Sequence, residues 1–254
     1  MSDKPSAPKN TKHHNDPYGS FDSADQTTGT PAIPAATVVL LRDTQSGLEV
    51  LMLRKTSKIS FGGMWVFPGG RIDAGDYPED RNPDTAARNA AVRETAEEAS
   101  LELAPEAFVY FAHWTPPPST PKRFSTWFFV AASTAAAPIT VDGGEIDDYQ
   151  WINPAAALER HAAAEIDLVP PTWVSLFQLS RFANSAEAIS ALAARGTRHY
   201  HTRLAKRADG VRVALWEGDA GYEAFDADAD ISHHSHRLVM APGGFEFLHS
   251  AADY

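Results

Sequence analysis

The chain has 254 residues, 43% of them hydrophobic, enough to bury one sizeable core with an appendage. Its 22 lysines and arginines against 33 aspartates and glutamates leave a formal net charge of −11, which argues against a general nucleic-acid or anionic-membrane surface. With no cysteine, disulfides, thiolate metal sites and cysteine nucleophiles are excluded.

Residues 1–31 are rich in Ser, Thr, Pro, Asp and Lys with hardly an aliphatic side chain, and read as a disordered tail. They contain no signal-peptide core, and no apolar run anywhere approaches the roughly 18 residues of a membrane span. A cytoplasmic protein without membrane partners is expected. From Ala36, ATVVLLRD and LEVLMLRK are two strands joined by the turn-rich Asp43–Gly47, a hairpin. Arg54, Lys55 and Lys58 close the second run, and Arg54 is a candidate contact for a substrate phosphate. ISFGGMWVFPGG follows, interleaving glycine with large apolar residues, as expected where backbone approaches something closely.

Pro83 and Asp84 predict a helix start, with Asp84 as N-cap and an end near Ala99. At about 100° per residue, Glu94, Glu97 and Glu98 share one face, with Val92, Ala96 and Ala99 roughly opposite as the packing side. Like charges three and four apart repel by a few tenths of a kcal/mol per pair, a cost that a divalent cation removes. Mg²⁺ suits such a site, since it takes carboxylate oxygen and retains water.

FVYFAHW and STWFFVA read as buried strands flanking TPPPSTPKR, a semi-rigid link that brings Lys122 and Arg123 toward a strand mouth as candidate substrate contacts. ITVDGGEIDDYQWI is an acidic glycine turn leading into a strand. Pro154 opens a helix, TWVSLFQLSRF has apolar residues at helical spacing, and Ala186–Ala194 is a further helix ended by Gly196. Beyond His199, VRVALW, HRLVMA and GFEFLH alternate with acidic turns, a small β extension that covers the site edge or a homodimer partner. His234 and His236 share a strand face without a matched acid, a poor basis for a metal site.

The glycine turn Phe67-Pro68-Gly69-Gly70 followed by Arg93-Glu94-Thr95-Ala96-Glu97-Glu98 resembles the signature of the Nudix hydrolases. Asp76 stands where the family has a glutamate, the loop from Asp76 to Arg93 is longer, Thr95 fills an aliphatic slot and Ser100 replaces a glycine. The resemblance implies an α/β/α sandwich with a mixed sheet over residues 32–160, extended by 161–254. It also implies Mg²⁺ or Mn²⁺ held by Gly70, Glu94, Glu97 and Glu98, with Arg93 orienting a motif glutamate and Glu94 or Glu145 as base. The expected activity is cleavage of a small-molecule diphosphate: coenzyme A or acyl-coenzyme A, a nucleotide sugar or a dinucleotide. GMWVFPGGR, HWTPPP, RFSTWFF and PPTW are further similar to the group related to peroxisomal coenzyme A diphosphatases. The alternative from another class is a Nudix-like module that binds a nucleotide without cleaving it.

Overall fold

A computed structural model describes residues 29–56, 62–120, 122–133 and 138–254. The tail reading over residues 1–28, and Lys58, lie outside that set. Strands β1 (Ile33–Thr44) and β2 (Gly47–Lys55) form the expected hairpin, with Thr44 opposite Gly47. Both are almost continuously apolar because both faces are covered: Val38 and Leu40 pack on one side of the sheet, Val39 and Leu41 on the other. Next come β3 (Trp65–Val66), β4 (Gly69–Arg71), helix α1 (Pro83–Ala99), β5 (Val109–Thr115), β6 (Phe124–Ala132) and β7 (Ile146–Ile152). The main sheet runs β3-β2-β1-β6-β5, with β4 against β1 and β7 against β2. It is mixed, as expected: β1 and β6 are parallel, while β5 and β6 are antiparallel.

One face of the sheet is closed by α1, whose Ala86, Ala87, Ala90 and Ala91 sit against Val38, Leu40 and Leu53. Small side chains let that helix lie close to the sheet. The opposite face is closed by α2 (Pro154–Ala162), α3 (Pro170–Leu179) and α4 (Ser185–Arg195), through Ala157, Trp173, Val174, Leu176 and Leu192. The layers are therefore α/β/α. From the chain beyond residue 160, β8 (Arg198–His201) pairs in parallel with β5 and extends the main sheet by one strand. Strands β9 (Arg203–Lys206), β10 (Arg212–Leu215), β11 (Arg237–Ala241) and β12 (Gly244–Leu248) form a second, antiparallel sheet. One face of it shares the α3 core through Leu204, Ala214, Leu238 and Phe247, and the other carries its own cluster around Val213, Leu215 and Tyr222.

Two expectations for α1 need correction. Its N-cap is Asn82, whose side chain accepts from the Asp84 and Thr85 amides, and Pro83 is the first helical residue. Proline is favoured there because its missing N–H is one the helix start leaves unpaired anyway. The packed stripe also differs: Ala91, Thr95, Glu98 and Ala99 are buried, whereas Ala96 is exposed and Val92 only partly covered. Thr95 tolerates burial because its hydroxyl donates back to the Ala91 carbonyl at 2.7 Å. His236 is not a metal ligand; it is buried, with its ring nitrogens on the Glu217 carbonyl and the Tyr254 hydroxyl. Among the described residues, no helix is long and apolar enough to cross a membrane.

Candidate active site

The site forms where β4 crosses beneath the last two turns of α1. Gly69 has φ +150°, and a Cβ there would overlap the Ala36 carbonyl on β1; only glycine lets β4 pair so closely. The Gly69 amide donates to Glu98 Oε2 at 2.9 Å. At Gly70 a Cβ would collide with the Glu94 carboxylate, so the backbone of the turn lies flush against that acid. Gly70, Glu94 and Glu98 are thus gathered by the turn itself.

Arg93 organises the remaining acids. Its Nε and Nη2 make a two-pronged pair with Asp76 at 3.0 and 2.9 Å, and Nη2 also reaches the Arg71 carbonyl. Nη1 donates to Glu94 at 2.9 Å and to Glu97 at 3.2 Å. The shortened Asp76 therefore does reach its partner. The preceding 3-10 turn (Ala74–Asp76), whose last residue accepts from the Asp73 amide, carries its carboxylate up to the guanidinium. Burial is the largest single influence and would raise the Asp76 pKa, but the Arg93 hydrogen bonds, the Asp73 amide and the Arg93 charge together outweigh it and hold the carboxyl below the usual range. For Glu94 burial dominates and pushes the acid up despite Arg93.

Glu98 is the most perturbed carboxylate of the group. It is 4% exposed, its Oε1 has no hydrogen-bond partner, and burial pushes its pKa up to about 7. Among the described residues the cation beside it is Lys55, with Nζ 3.6 Å from Glu98 Oε1 and 3.7 Å from Glu145 Oε2. Glu145 comes from the loop before β7 and is largely exposed; Asp142 fixes that loop by accepting from the Glu145 and Ile146 amides.

Among the described residues, no group of three or more His, Asp or Glu side chains converges as a ready metal cage. Arg93 pairs with Glu94 and Glu97, while the Gly69 amide and Lys55 hold Glu98. The donors nonetheless suit a hard divalent cation. All are oxygens, the Glu98 Oε1 lone pairs are unmatched, and the Gly70 backbone abuts Glu94.

These residues line one end of a cavity of about 1100 Å³ that also takes in Arg71, Lys122 and Glu145. The three expected substrate contacts divide. Lys122 lines the cavity. Arg54 does not, because it is engaged with Asp147 at 2.7 Å on the neighbouring strand. Arg123 does not either; it clamps the proline-rich loop through two bonds to the Pro116 carbonyl and a third to Thr30. Sequence reasoning put Arg54 ahead of Lys55. Strand periodicity separates the two: neighbours on a strand point to opposite faces, and the face of Leu51 and Leu53, on the α1 side, belongs to Lys55.

A family model described as the NUDIX domain matches residues 31–171. Acyl-coenzyme A diphosphatase NUDT19 from Homo sapiens is 30% identical over 93 residues, covering 35% of this chain and a quarter of the human protein's length. Its Xenopus laevis counterpart is 21% identical over 80% of this chain and 78% of its own length. Among solved structures, a NUDIX hydrolase from Alicyclobacillus acidocaldarius is 25% identical with a TM-score of 0.56, covering 63% of this chain and 96% of that one. Because the matched stretch spans more than half the chain, and holds both the glycine turn and the glutamate helix packed on it, this protein belongs to the Nudix family of hydrolases.

Proposed function

We propose that the chain hydrolyses a diphosphate linkage in a nucleoside diphosphate joined to a second moiety, with acyl-coenzyme A as the first candidate substrate. The observation that carries this reading is the buried, unpaired oxygen of Glu98 facing Lys55, beside the Gly70 backbone and Glu94. Two curated relatives named as acyl-coenzyme A diphosphatases support the choice of substrate.

In this reading Gly70, Glu94, Glu97 and Glu98 hold Mg²⁺ or Mn²⁺. A divalent cation bound there neutralises diphosphate charge and acidifies water. Arg93, anchored by Asp76, keeps Glu94 and Glu97 from swinging away. Lys55, beside Glu98, and Lys122 line the same cavity and attract the phosphates. Glu145 stands clear of the Arg93 network, on a loop fixed by Asp142, and takes the proton from the attacking water.

The purified chain is incubated with octanoyl-coenzyme A, a nucleotide sugar and a dinucleotide, with and without Mg²⁺. The expected result is Mg²⁺-dependent release of nucleotide and acyl phosphopantetheine, with E98Q slower by roughly 10²-fold. Cleavage of none of them would overturn the reading and favour a module that only binds its nucleotide.

A further inference from the structure

Arg93 and Lys55 both face the acids of the site, and they are held differently. The Arg93 guanidinium is locked by hydrogen bonds to Asp76, Glu94, Glu97 and the Arg71 carbonyl. Lys55 is pinned through its backbone. Its amide donates to the Met64 carbonyl at 3.0 Å, its carbonyl accepts from the Gly63 amide at 2.7 Å, and the next amide, of Thr56, donates to the Glu145 carbonyl at 2.8 Å. Between Arg54 and Lys55 the pairing with β7 steps from Asp148 to Ile146, so Asp147 is the extra residue of a β-bulge. Bulges re-aim side chains beside functional sites. Here Asp147 goes to Arg54, and the Lys55 side chain, 15% exposed, lies between Glu98 and Glu145.

The Lys55 ammonium is not hydrogen-bonded to either acid. Its distances, 3.6 Å to Glu98 Oε1 and 3.7 Å to Glu145 Oε2, are those of ion pairs held by charge alone. Glu94, Glu97, Glu98 and Glu145 line the cavity around it. Glu98 Oε1, without a hydrogen-bond partner, is the oxygen most open to a divalent cation. Mg²⁺ takes carboxylate oxygen at about 2.0–2.1 Å. An ammonium 3.6 Å from that same oxygen is then repelled by two further positive charges at close range.

We infer that Lys55 is the built-in rival of the divalent cation: it balances Glu98 and Glu145 when the ion is absent, and uptake of the ion displaces its ammonium from Glu98. The inference rests on the cation site of the proposed function and adds the residue that sets how tightly the ion is held. Lys55 is a positioning residue in this role, acting on the ion through the acids they share.

Mg²⁺ is titrated calorimetrically into the full chain as parent, as K55M and, to control for net charge, as K206M on β9, all at about pH 8.5 so that protons compete little for the acids. K55M is expected to bind Mg²⁺ about tenfold more tightly than the parent, with K206M unchanged. Thermal unfolding reads the same competition. Without Mg²⁺, K55M melts below the parent because the acids lose a balancing charge, and saturating Mg²⁺ closes that gap. A lysine with only a structural role leaves the same gap in both conditions. The two readouts are linked, since the gain in affinity equals the difference between the two stability deficits. K55Q serves as the second variant where the apolar side chain prevents folding. Equal or weaker Mg²⁺ binding by the variant, or a stability deficit of the same size with and without Mg²⁺, overturns the inference. No uptake by parent and variant alike removes the cation site and the inference with it. Failure of the diphosphatase reading alone shows differently, as absent turnover while K55M still tightens Mg²⁺ binding.

Discussion

At the residue scale, Arg93 determines whether the acids are arranged for chemistry. Its pair with Asp76 is the anchor, because Asp76 is buried while Glu94 and Glu97 sit at the guanidinium's more open side. Replacing Asp76 by Asn leaves Arg93 with one anchoring acceptor fewer. Denaturant unfolding is expected to show a loss of about 2 kcal/mol, and kcat falls although Asp76 touches no substrate. An Asp76→Asn variant with parental stability and kcat would remove the anchor role. Glu145 separates from Glu98 by a different readout. E145Q is expected to lower kcat by roughly 10²-fold while leaving cation uptake near parental, as befits a proton acceptor outside the cation's ligands. Loss of uptake in E145Q would instead make it a ligand.

At the element scale, α1 is set by its two ends. Asn82→Ala is expected to cost about 1 kcal/mol, the ordinary value of an N-cap, whereas Asp84→Ala costs only a few tenths, because it loses an exposed pair with Arg88. A reversed order in thermal unfolding would return the cap to Asp84. At the other end Ser100 lies in the left-handed region, φ 56° and ψ 35°, where the cap amide still bonds to the Ala96 carbonyl. Ser100→Gly is expected to gain about 0.5 kcal/mol by relieving that conformation, offset in part by losing the hydroxyl bond to Thr140. What was legible in the sequence here was local. A glycine turn, a proline start and carboxylates at helical spacing are written within a few residues of one another. Capping by Asn82 rather than Asp84 is a two-residue shift between side chains that can both serve as caps. The packed stripe through Thr95 and Glu98 escaped because burial of a threonine and a glutamate runs against their hydropathy.

At the scale of the whole molecule, the site draws on segments far apart in sequence. Lys55 ends β2, Glu145 precedes β7, Trp114 lies in the last two residues of β5, and Val169 and Pro171 lie beyond the second helix. No spacing rule in a single sequence brings those together, which is why Trp114 read as core; Arg54 was favoured although strand alternation puts Lys55, not Arg54, on the face of Leu51 and Leu53. Its indole is in fact both, packed on Tyr200 and lining the cavity. The second sheet is held by groups that titrate. Burial holds the His236 pKa down to about 4, against an unfolded value near 6.5. The folded state therefore binds fewer protons there, and its stability falls as pH drops through about 6.5, levelling below about 4. Between about pH 7 and pH 5 this one group is expected to cost about 2 kcal/mol, and His236→Asn should flatten the curve by that amount. Equal slopes for parent and variant would show that another group carries the acid sensitivity.

The central claim is that Glu98 and its neighbours share a divalent cation. Titration of Mn²⁺ into the full chain, followed by calorimetry and by the paramagnetic signal of free Mn²⁺, tests it most directly. Saturable uptake in the parent that is abolished in E98Q and weakened in E97Q, with both variants folded, is the predicted result. Equal uptake by parent and E98Q, or none by the parent, would contradict it.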